Sequence, residues 1–137
     1  FMDLNQYGQG EQTVTSMLIM AGQVVFSTNR PIPSATGTCS NVLGEARGYW
    51  VNLLNASGTI GASSTSNCGG TRSSTFVGGG LPPSPVIGTV LINGKPVTVV
   101  IGAVSHDGGT STPISPGKVI PPVTPVRKRA YQKVKID

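Results

Sequence analysis

The hydrophobic residues of this chain gather in four runs that are rich in strand-forming residues, at residues 13–28, 46–54, 84–104 and 126–136. Between the runs lie three stretches rich in Gly, Pro, Ser and Thr, which predict loops at residues 29–45, 55–85 and 105–125. Helix formers are scarce, which excludes a helical bundle, a coiled coil and a regular α/β domain. The pattern predicts an all-β fold of antiparallel sheets with long loops.

The first run predicts a hairpin. Ala21-Gly22 fills the two-residue turn, and Gly supplies the positive φ that tight hairpins need. The turn sets two pairs of residues opposite each other, Ile19 with Val24 and Met17 with Phe26. Because both faces of this hairpin are apolar, we expect it to be buried on both sides.

The second run predicts a single strand over residues 46–54, followed by a turn at residues 55–58. Alternation divides the strand into two faces, one with Tyr49, Val51 and Leu53 and the other with Trp50, Asn52 and Leu54. We expect Tyr49 and Trp50 to pack in a core or between sheets, rather than to form a platform for a ligand.

The third run contains the clearest local signal, Asn93-Gly94 between two β-branched stretches. This dipeptide favours a type I′ hairpin turn, because both of its residues tolerate positive φ. The predicted register pairs Val90 with Val97, Thr89 with Thr98, Ile87 with Val100, and Val86 with Ile101. Both faces are again apolar, so something should pack on each side, as in a sandwich or a propeller.

The fourth run predicts a final strand with a cationic face. The net charge is +5, and residues 1–117 carry none of that excess. Alternation places Arg127, Arg129, Tyr131, Lys133 and Lys135 on one face, which makes them a candidate interaction surface. The favoured interpretation is a charged strand face that blocks edge-to-edge pairing. Nucleic acid is the less favoured partner, because base stacking needs aromatic side chains and Tyr131 is the only one there.

Only 11% of the residues are charged, against about a quarter in an ordinary soluble domain. The low charge argues against a classical disordered acidic or basic chain. No apolar run approaches the roughly 20 residues of a transmembrane helix, so we predict no membrane insertion.

Cys39 and Cys68 lie in Ser-, Thr- and Gly-rich stretches. They are too far apart for a Cys-x-x-Cys redox motif, and two cysteines without further ligands do not complete a zinc site. We predict a disulfide between them that ties down a long loop. Such a bond implies an oxidising compartment: periplasm, cell surface or secreted. No signal peptide is visible, and Phe1-Met2 suggests the interior of a longer chain.

Candidate catalytic residues are few, and we predict neither a catalytic site nor a metal site. The single histidine, His106, precedes Asp107 in a Gly-rich loop, and we expect it to be a surface residue. The five carboxylates are scattered singly and form no acid/base pair. Gly78-Gly79-Gly80 lacks the Gly-Lys-Ser/Thr ending of a phosphate-binding loop.

Several stretches, in this order along the chain, together resemble the C-terminal region of the PilY/PilC proteins, the type IV pilus tip-associated adhesins of Gram-negative bacteria. They are Glu11-Gln-Thr-Val-Thr-Ser, Val25-Phe-Ser-Thr-Asn-Arg-Pro, Cys39-Ser-Asn-Val-Leu-Gly, Arg47-Gly-Tyr-Trp-Val-Asn-Leu-Leu, Gly78-Gly-Gly-Leu-Pro-Pro-Ser-Pro-Val and Pro122-Val-Thr-Pro-Val-Arg-Lys-Arg-Ala-Tyr. The ordered set covers essentially the whole chain.

The resemblance implies a modified seven-bladed β-propeller, of which residues 1–137 would form a single unit, the C-terminal blades. It implies a structural and adhesive role in pilus assembly, surface attachment and twitching motility, without catalysis. The expected partners are minor pilins or the rest of the parent chain, and a host or abiotic surface. The expected location is the pilus tip, reached through the periplasm and associated with the outer membrane. Some relatives carry a calcium loop, but its Asp-rich motif is absent here, so no cofactor is predicted.

Three alternatives remain open. A propeller blade takes about 40–50 residues, so this chain holds two to three blades, and a chain that is stable alone would favour a closed β-barrel or a sandwich. A fragment of a quinoprotein-like propeller enzyme would need a cofactor pocket, and no ligands for one are evident. A DNA-binding surface would use the basic final strand and weaken steeply with salt.

Overall fold

The computed structural model describes residues 2–37, 42–62, 70–110, 112 and 116–119. Over these residues the regular elements are one short 3-10 helix, Asn5–Tyr7, and eight strands. The strands are β1 (Gln12–Thr13), β2 (Leu18–Met20), β3 (Gln23–Arg30), β4 (Glu45–Asn52), β5 (Ser73–Thr75), β6 (Val86–Ile92), β7 (Lys95–Ile101) and β8 (Gly117–Lys118). All of their pairings are antiparallel, which confirms the predicted all-β class of antiparallel sheets.

The first sheet is an up-and-down meander. β4 pairs with β3 over its full length, so β1 and β2, which also pair with β3, share the opposite edge. β5 then pairs with the far side of β4. The sheet is therefore four strands wide, with its outermost strand interrupted between β1 and β2. Neither sheet closes on itself within the described residues.

The first hairpin has the predicted turn but a shorter first strand. Ala21 and Gly22 have φ of 47° and 78°, and Ile19 lies opposite Val24, as predicted. The predicted pairing of Met17 with Phe26 does not form, because β2 begins at Leu18. Burial on both sides holds for β3, where Val25 and Phe26 are buried on opposite faces, but it was wrong for the first strand: Met17 and Ile19 are each 61% exposed, since β2 is an outer strand of the sheet.

β3 and β4 form the centre of the molecule, and β4 divides its faces as predicted. Trp50 packs on one side in a core that also holds Met20, Val25, Ala46, Ile60, Phe76, Val100, Ala103, Val104 and Val119. Tyr49 and Val51 pack on the other side with Phe26. The prediction that Tyr49 and Trp50 are core residues is confirmed. Leu53 and Leu54 lie beyond the end of β4 and are exposed, because the chain turns after Asn52.

The loops are shorter than predicted. Residues 29 and 30 belong to β3, because they pair with β4, and Glu45 begins β4. The predicted loop at 55–85 contains β5 and isolated bridges at Gly58 and Ile60. The predicted loop at 105–125 contains β8. These segments are too short and too polar to show strand periodicity, and they become strands by pairing with strands already in place. The predicted strand at 126–136 lies outside the described residues.

The second sheet has the order β6-β7-β8. All four predicted pairs of the β6–β7 hairpin are present. Asn93 and Gly94 have φ of 52° and 73°, as a type I′ turn requires. Val100 of β7, with Ala103 and Val104 after it, belongs to the same core as Trp50. The two sheets therefore share one core through β7 and its continuation.

Candidate interaction surface

Two sets of predicted site residues lie outside the described residues. They are the disulfide pair, Cys39 and Cys68, and the cationic stripe of the final strand, Arg127, Arg129, Tyr131, Lys133 and Lys135. The disulfide and the cationic surface therefore stay predictions.

His106 is buried, so the prediction of a surface histidine was wrong. Its side chain is 2% exposed and packs edge-on against Trp50, with the ring centroids 5.1 Å apart. Its Nε2 lies 3.5 Å from Nε2 of Gln23, whose amide group is the donor when that imidazole nitrogen is unprotonated. Burial lowers the pKa of His106, against a smaller opposing effect of Asp107, so the ring is neutral at physiological pH. His106 therefore serves as a packing residue behind Trp50.

The opposite face of the first sheet holds a buried polar group that sequence reasoning missed. Oε1 of Glu11 accepts a hydrogen bond from Thr28 Oγ1 at 2.6 Å and another from the Tyr49 hydroxyl at 2.5 Å. Burial raises the pKa of Tyr49, and the hydrogen bond to Glu11 raises it further. Glu11 and Tyr49 are 38 residues apart, so only the pairing of β1, β3 and β4 brings them together.

Beside this group, three charged residues of β3 and β4 form ion pairs with one another. The Glu45 carboxylate forms salt bridges with the guanidinium groups of Arg47, at 2.7 Å, and Arg30, at 3.1 Å. Partial burial tends to raise the pKa of Glu45, but hydrogen bonds from Arg47 and Arg30 outweigh it and hold that pKa below its usual range. The Arg47 guanidinium also lies 3.5 Å from the centre of the Tyr7 ring. One carboxylate thus pairs with two guanidinium groups, and the three side chains hold one another in place within the fold.

The β6–β7 hairpin presents the opposite chemistry, an exposed apolar surface. The prediction that both of its faces are covered was wrong for β6, because the core around Trp50 includes only Val100 of this hairpin, on β7. Large apolar side chains of the hairpin remain exposed, namely Val86 (62%), Ile87 (47%), Val90 (40%), Leu91 (75%), Ile92 (49%) and Ile101 (43%). Scattered exposed apolar residues are ordinary on proteins, but six of them on the two faces of one hairpin indicate an interaction site. We call this set the apolar hairpin surface.

The outer edge of β6 is open among the described residues, since β6 pairs only with β7 there. In a hairpin with a two-residue turn, the residues that flank the turn form a hydrogen-bonded pair, here Ile92 with Lys95. The even-numbered residues of β6 therefore bond to β7. The backbone N–H and C=O groups of Ile87, Thr89 and Leu91 therefore point away from β7, towards the open edge of the sheet.

Next to this edge lies a largely apolar cavity of about 470 Å³. Its walls are the tip of the first hairpin and one face of the second sheet, with Met20, Ala21, Ile87, Pro96, Val97, Thr98, Lys118 and Val119. Ile87 thus lines the cavity and also lies on the open edge. The open edge and the cavity therefore meet at Ile87, an arrangement that is suited to a protein partner in extended conformation.

In the part of the chain that the structure describes, no group of three or more His, Cys, Asp or Glu residues could hold a metal ion. No helix there is long and apolar enough to cross a membrane. Comparison with models of known protein families, with curated proteins and with solved structures found no match.

Proposed function

We propose that this chain is a non-catalytic structural and adhesive component of the type IV pilus tip, which supports pilus assembly, surface attachment and twitching motility. The observation that carries the proposal is the apolar hairpin surface, six large apolar side chains that are 40–75% exposed on β6 and the end of β7. Such a surface costs free energy in water, so a protein that retains it is expected to cover it with a partner. Assembly by binding is the activity that this surface supports.

The topology of the first sheet supports the finer expectation of a β-propeller. A propeller blade is a four-stranded antiparallel sheet. The first sheet has that width, and its strands follow one another as a meander. We propose that it is one blade and that β6, β7 and β8 belong to the next. The rest of the propeller would come from the parent chain, with minor pilins as further partners at the pilus tip.

The use of polar groups fits a role without catalysis. Glu11, Glu45 and His106 are each engaged inside the fold, with Tyr49, with two arginines and with Trp50, respectively. The proposal also includes export through the periplasm, where the disulfide between Cys39 and Cys68 would form. No cofactor is required for an adhesive and structural role.

The test combines location with motility in the source bacterium. An antibody raised against the purified chain should place gold particles at the ends of sheared pili, and deletion of the parent gene should reduce surface pili and twitching. Complementation with Leu91→Asp should restore less twitching than complementation with Leu54→Asp. Leu54 is the matched control, because it is 92% exposed but lies outside the apolar hairpin surface. Gold confined to the cytoplasm, with normal twitching of the deletion strain, would refute the proposal.

A further inference from the structure

We infer that the open edge of β6 is a self-association site, at which a second copy of this chain adds its own β6 in antiparallel orientation. The inference deepens the proposed function, because it rests on the apolar hairpin surface being an interaction surface and names the partner. Two sheets of the order β6-β7-β8 would then join into one continuous sheet about a two-fold axis. β8 would lie at both outer edges of that sheet.

The residues of β6 are self-complementary about Thr89. A two-fold axis there pairs all seven residues of the strand: Val86 with Ile92, Ile87 with Leu91, Gly88 with Val90, and Thr89 with its own copy. Each pair is apolar with apolar, except for the central pair of threonines, whose hydroxyls can hydrogen-bond to each other across the strands. Gly88 has open space where a side chain would be, so Val90 of the second copy meets no obstruction there.

The backbone allows the same register and excludes any register shifted by an odd number of residues. Ile87, Thr89 and Leu91 carry the outward-pointing N–H and C=O groups. In the pairing about Thr89 these residues meet only one another, as Ile87 with Leu91 and Thr89 with Thr89. Each of these pairs then exchanges two hydrogen bonds, as antiparallel strands do at alternate positions. A register shifted by one residue would oppose an outward-pointing residue to one already bonded to β7, and the ladder would not form.

The absence of charged residues from β6 allows a second copy to pair at this edge. Natural edge strands are commonly protected against pairing by Lys, Glu or Pro. β6 contains none of these, and Lys95 lies beyond the turn on β7. Two copies of β6 therefore approach without like-charge repulsion. The association is closed, because a two-fold axis uses the open edge of both copies at once.

The experiment is sedimentation velocity on the full chain at concentrations from about 5 to about 500 µM, a range suited to an interface smaller than the standard size. We expect a reversible monomer–dimer equilibrium. Thr89→Lys places two like charges opposite each other at the axis, and should raise the dissociation constant of the dimer by about tenfold or more. Leu54→Lys adds the same charge at an exposed apolar residue elsewhere and should leave the dimer unchanged.

A charge swap separates loss of pairing from loss of folding. Thr89→Asp alone should weaken the dimer as Thr89→Lys does, whereas an equimolar mixture of the two variants should form heterodimers. Amide exchange measured by NMR gives a second readout. The N–H groups of Ile87, Thr89 and Leu91 should become protected as the concentration rises, while those of Val86 and Val90 should be protected throughout.

Three results would overturn the inference: a wild-type chain that stays monomeric over the whole range, oligomers that are insensitive to Thr89→Lys, and a mixture of Lys and Asp variants that stays monomeric. The edge would then belong to a different polypeptide or to another segment of this chain. A monomer combined with the loss of twitching in Leu91→Asp would refute self-association and leave the pilus role standing. A dimer combined with normal pili in the deletion strain would support self-association and refute the pilus role.

Discussion

The hydroxyl of Tyr49 should make the stability of the fold depend on pH in alkaline solution. The Tyr49 side chain is 3% exposed, and its ring stacks on Phe26 with the centroids 4.9 Å apart. The hydroxyl donates a hydrogen bond to Glu11 Oε1 at 2.5 Å. Burial raises the pKa of Tyr49, and Glu11 raises it further. Tyr49→Phe retains the stacked ring and removes only the titrating group.

The sign of the effect follows from proton linkage. An unfolded tyrosine releases its proton near pH 10, whereas folded Tyr49 holds its proton to higher pH. The contribution of Tyr49 to stability is therefore complete below about pH 10 and is lost as the pH rises further. The slope is about 1.4 kcal/mol of unfolding free energy per pH unit. The wild type should show this slope above about pH 10 in excess of Tyr49→Phe.

At neutral pH the same substitution removes a hydrogen bond to a buried carboxylate. Such a bond contributes about 1.5–3 kcal/mol, so Tyr49→Phe should lower the free energy of unfolding by about 2 kcal/mol. Thr28 remains as a donor to the same oxygen of Glu11, which limits the loss. As the pH rises from about 10 to about 11.5, the difference between the two proteins should shrink by about 2 kcal/mol.

Urea unfolding at a series of pH values, followed by the fluorescence of Trp50, measures this difference directly. Tyr7→Phe is the matched control, because the Tyr7 ring lies against Arg47 and is 36% exposed, and its hydroxyl is not part of the Glu11 group. That control should follow the wild type at every pH. If Tyr49→Phe also ran parallel to the wild type above about pH 10, the buried pairing of Tyr49 with Glu11 would be refuted.

Three further predictions concern the core and the loops. Gly48→Ala should lower the melting temperature by several degrees, because a Cβ at this position would lie 2.6 Å from Cγ1 of Val104, and adding Val104→Ala should restore part of the loss. Trp50→Phe should cost about 2–3 kcal/mol in urea unfolding, because the indole N–H donates to the Val104 carbonyl at 2.8 Å and that buried oxygen would lose its donor. The intact mass of protein purified from an oxidising compartment should be two hydrogen masses below that of the reduced protein, because Cys39 and Cys68 are joined. Cys39→Ser should abolish this difference and lower the free energy of unfolding by about 3–4 kcal/mol in the chain-entropy model. Two free thiols in the wild type would contradict the disulfide.

The parts of the fold that depend on local conformation were predictable from the sequence. Asn93-Gly94 specifies a turn because both residues accept positive φ, and the register of β6 against β7 follows from that turn. Ala21-Gly22 acts in the same way for the first hairpin. Strict alternation likewise placed Tyr49 and Trp50 on opposite faces of β4, because successive side chains of a strand point to opposite sides.

The parts that depend on distant contacts were not predictable in this way. β5 is a three-residue strand of Ser and Thr with no periodicity of its own, and it forms because Arg47, Gly48 and Tyr49 offer it an edge. His106 follows Ser105 and precedes Asp107, a polar context typical of a surface loop. It is nevertheless buried, because the chain beyond β7 passes over Trp50, whose indole reaches the carbonyl of Val104. Local polarity therefore misleads wherever the tertiary path covers a residue.

The two hairpins show why burial requires more than an apolar pattern. Both have tight turns and apolar residues on both faces. Among the described residues, however, β3 has neighbouring strands on both of its edges, whereas β6 has a neighbour on one edge only. Because an exposed strand edge invites pairing, an edge that lacks charge and proline is expected to be paired in the working protein. β6 has such an edge, and apolar residues also lie opposite apolar residues when β6 is paired antiparallel with a second copy of itself about Thr89. The exposed apolar residues of β6 are therefore better explained as half of an interface than as an incomplete core.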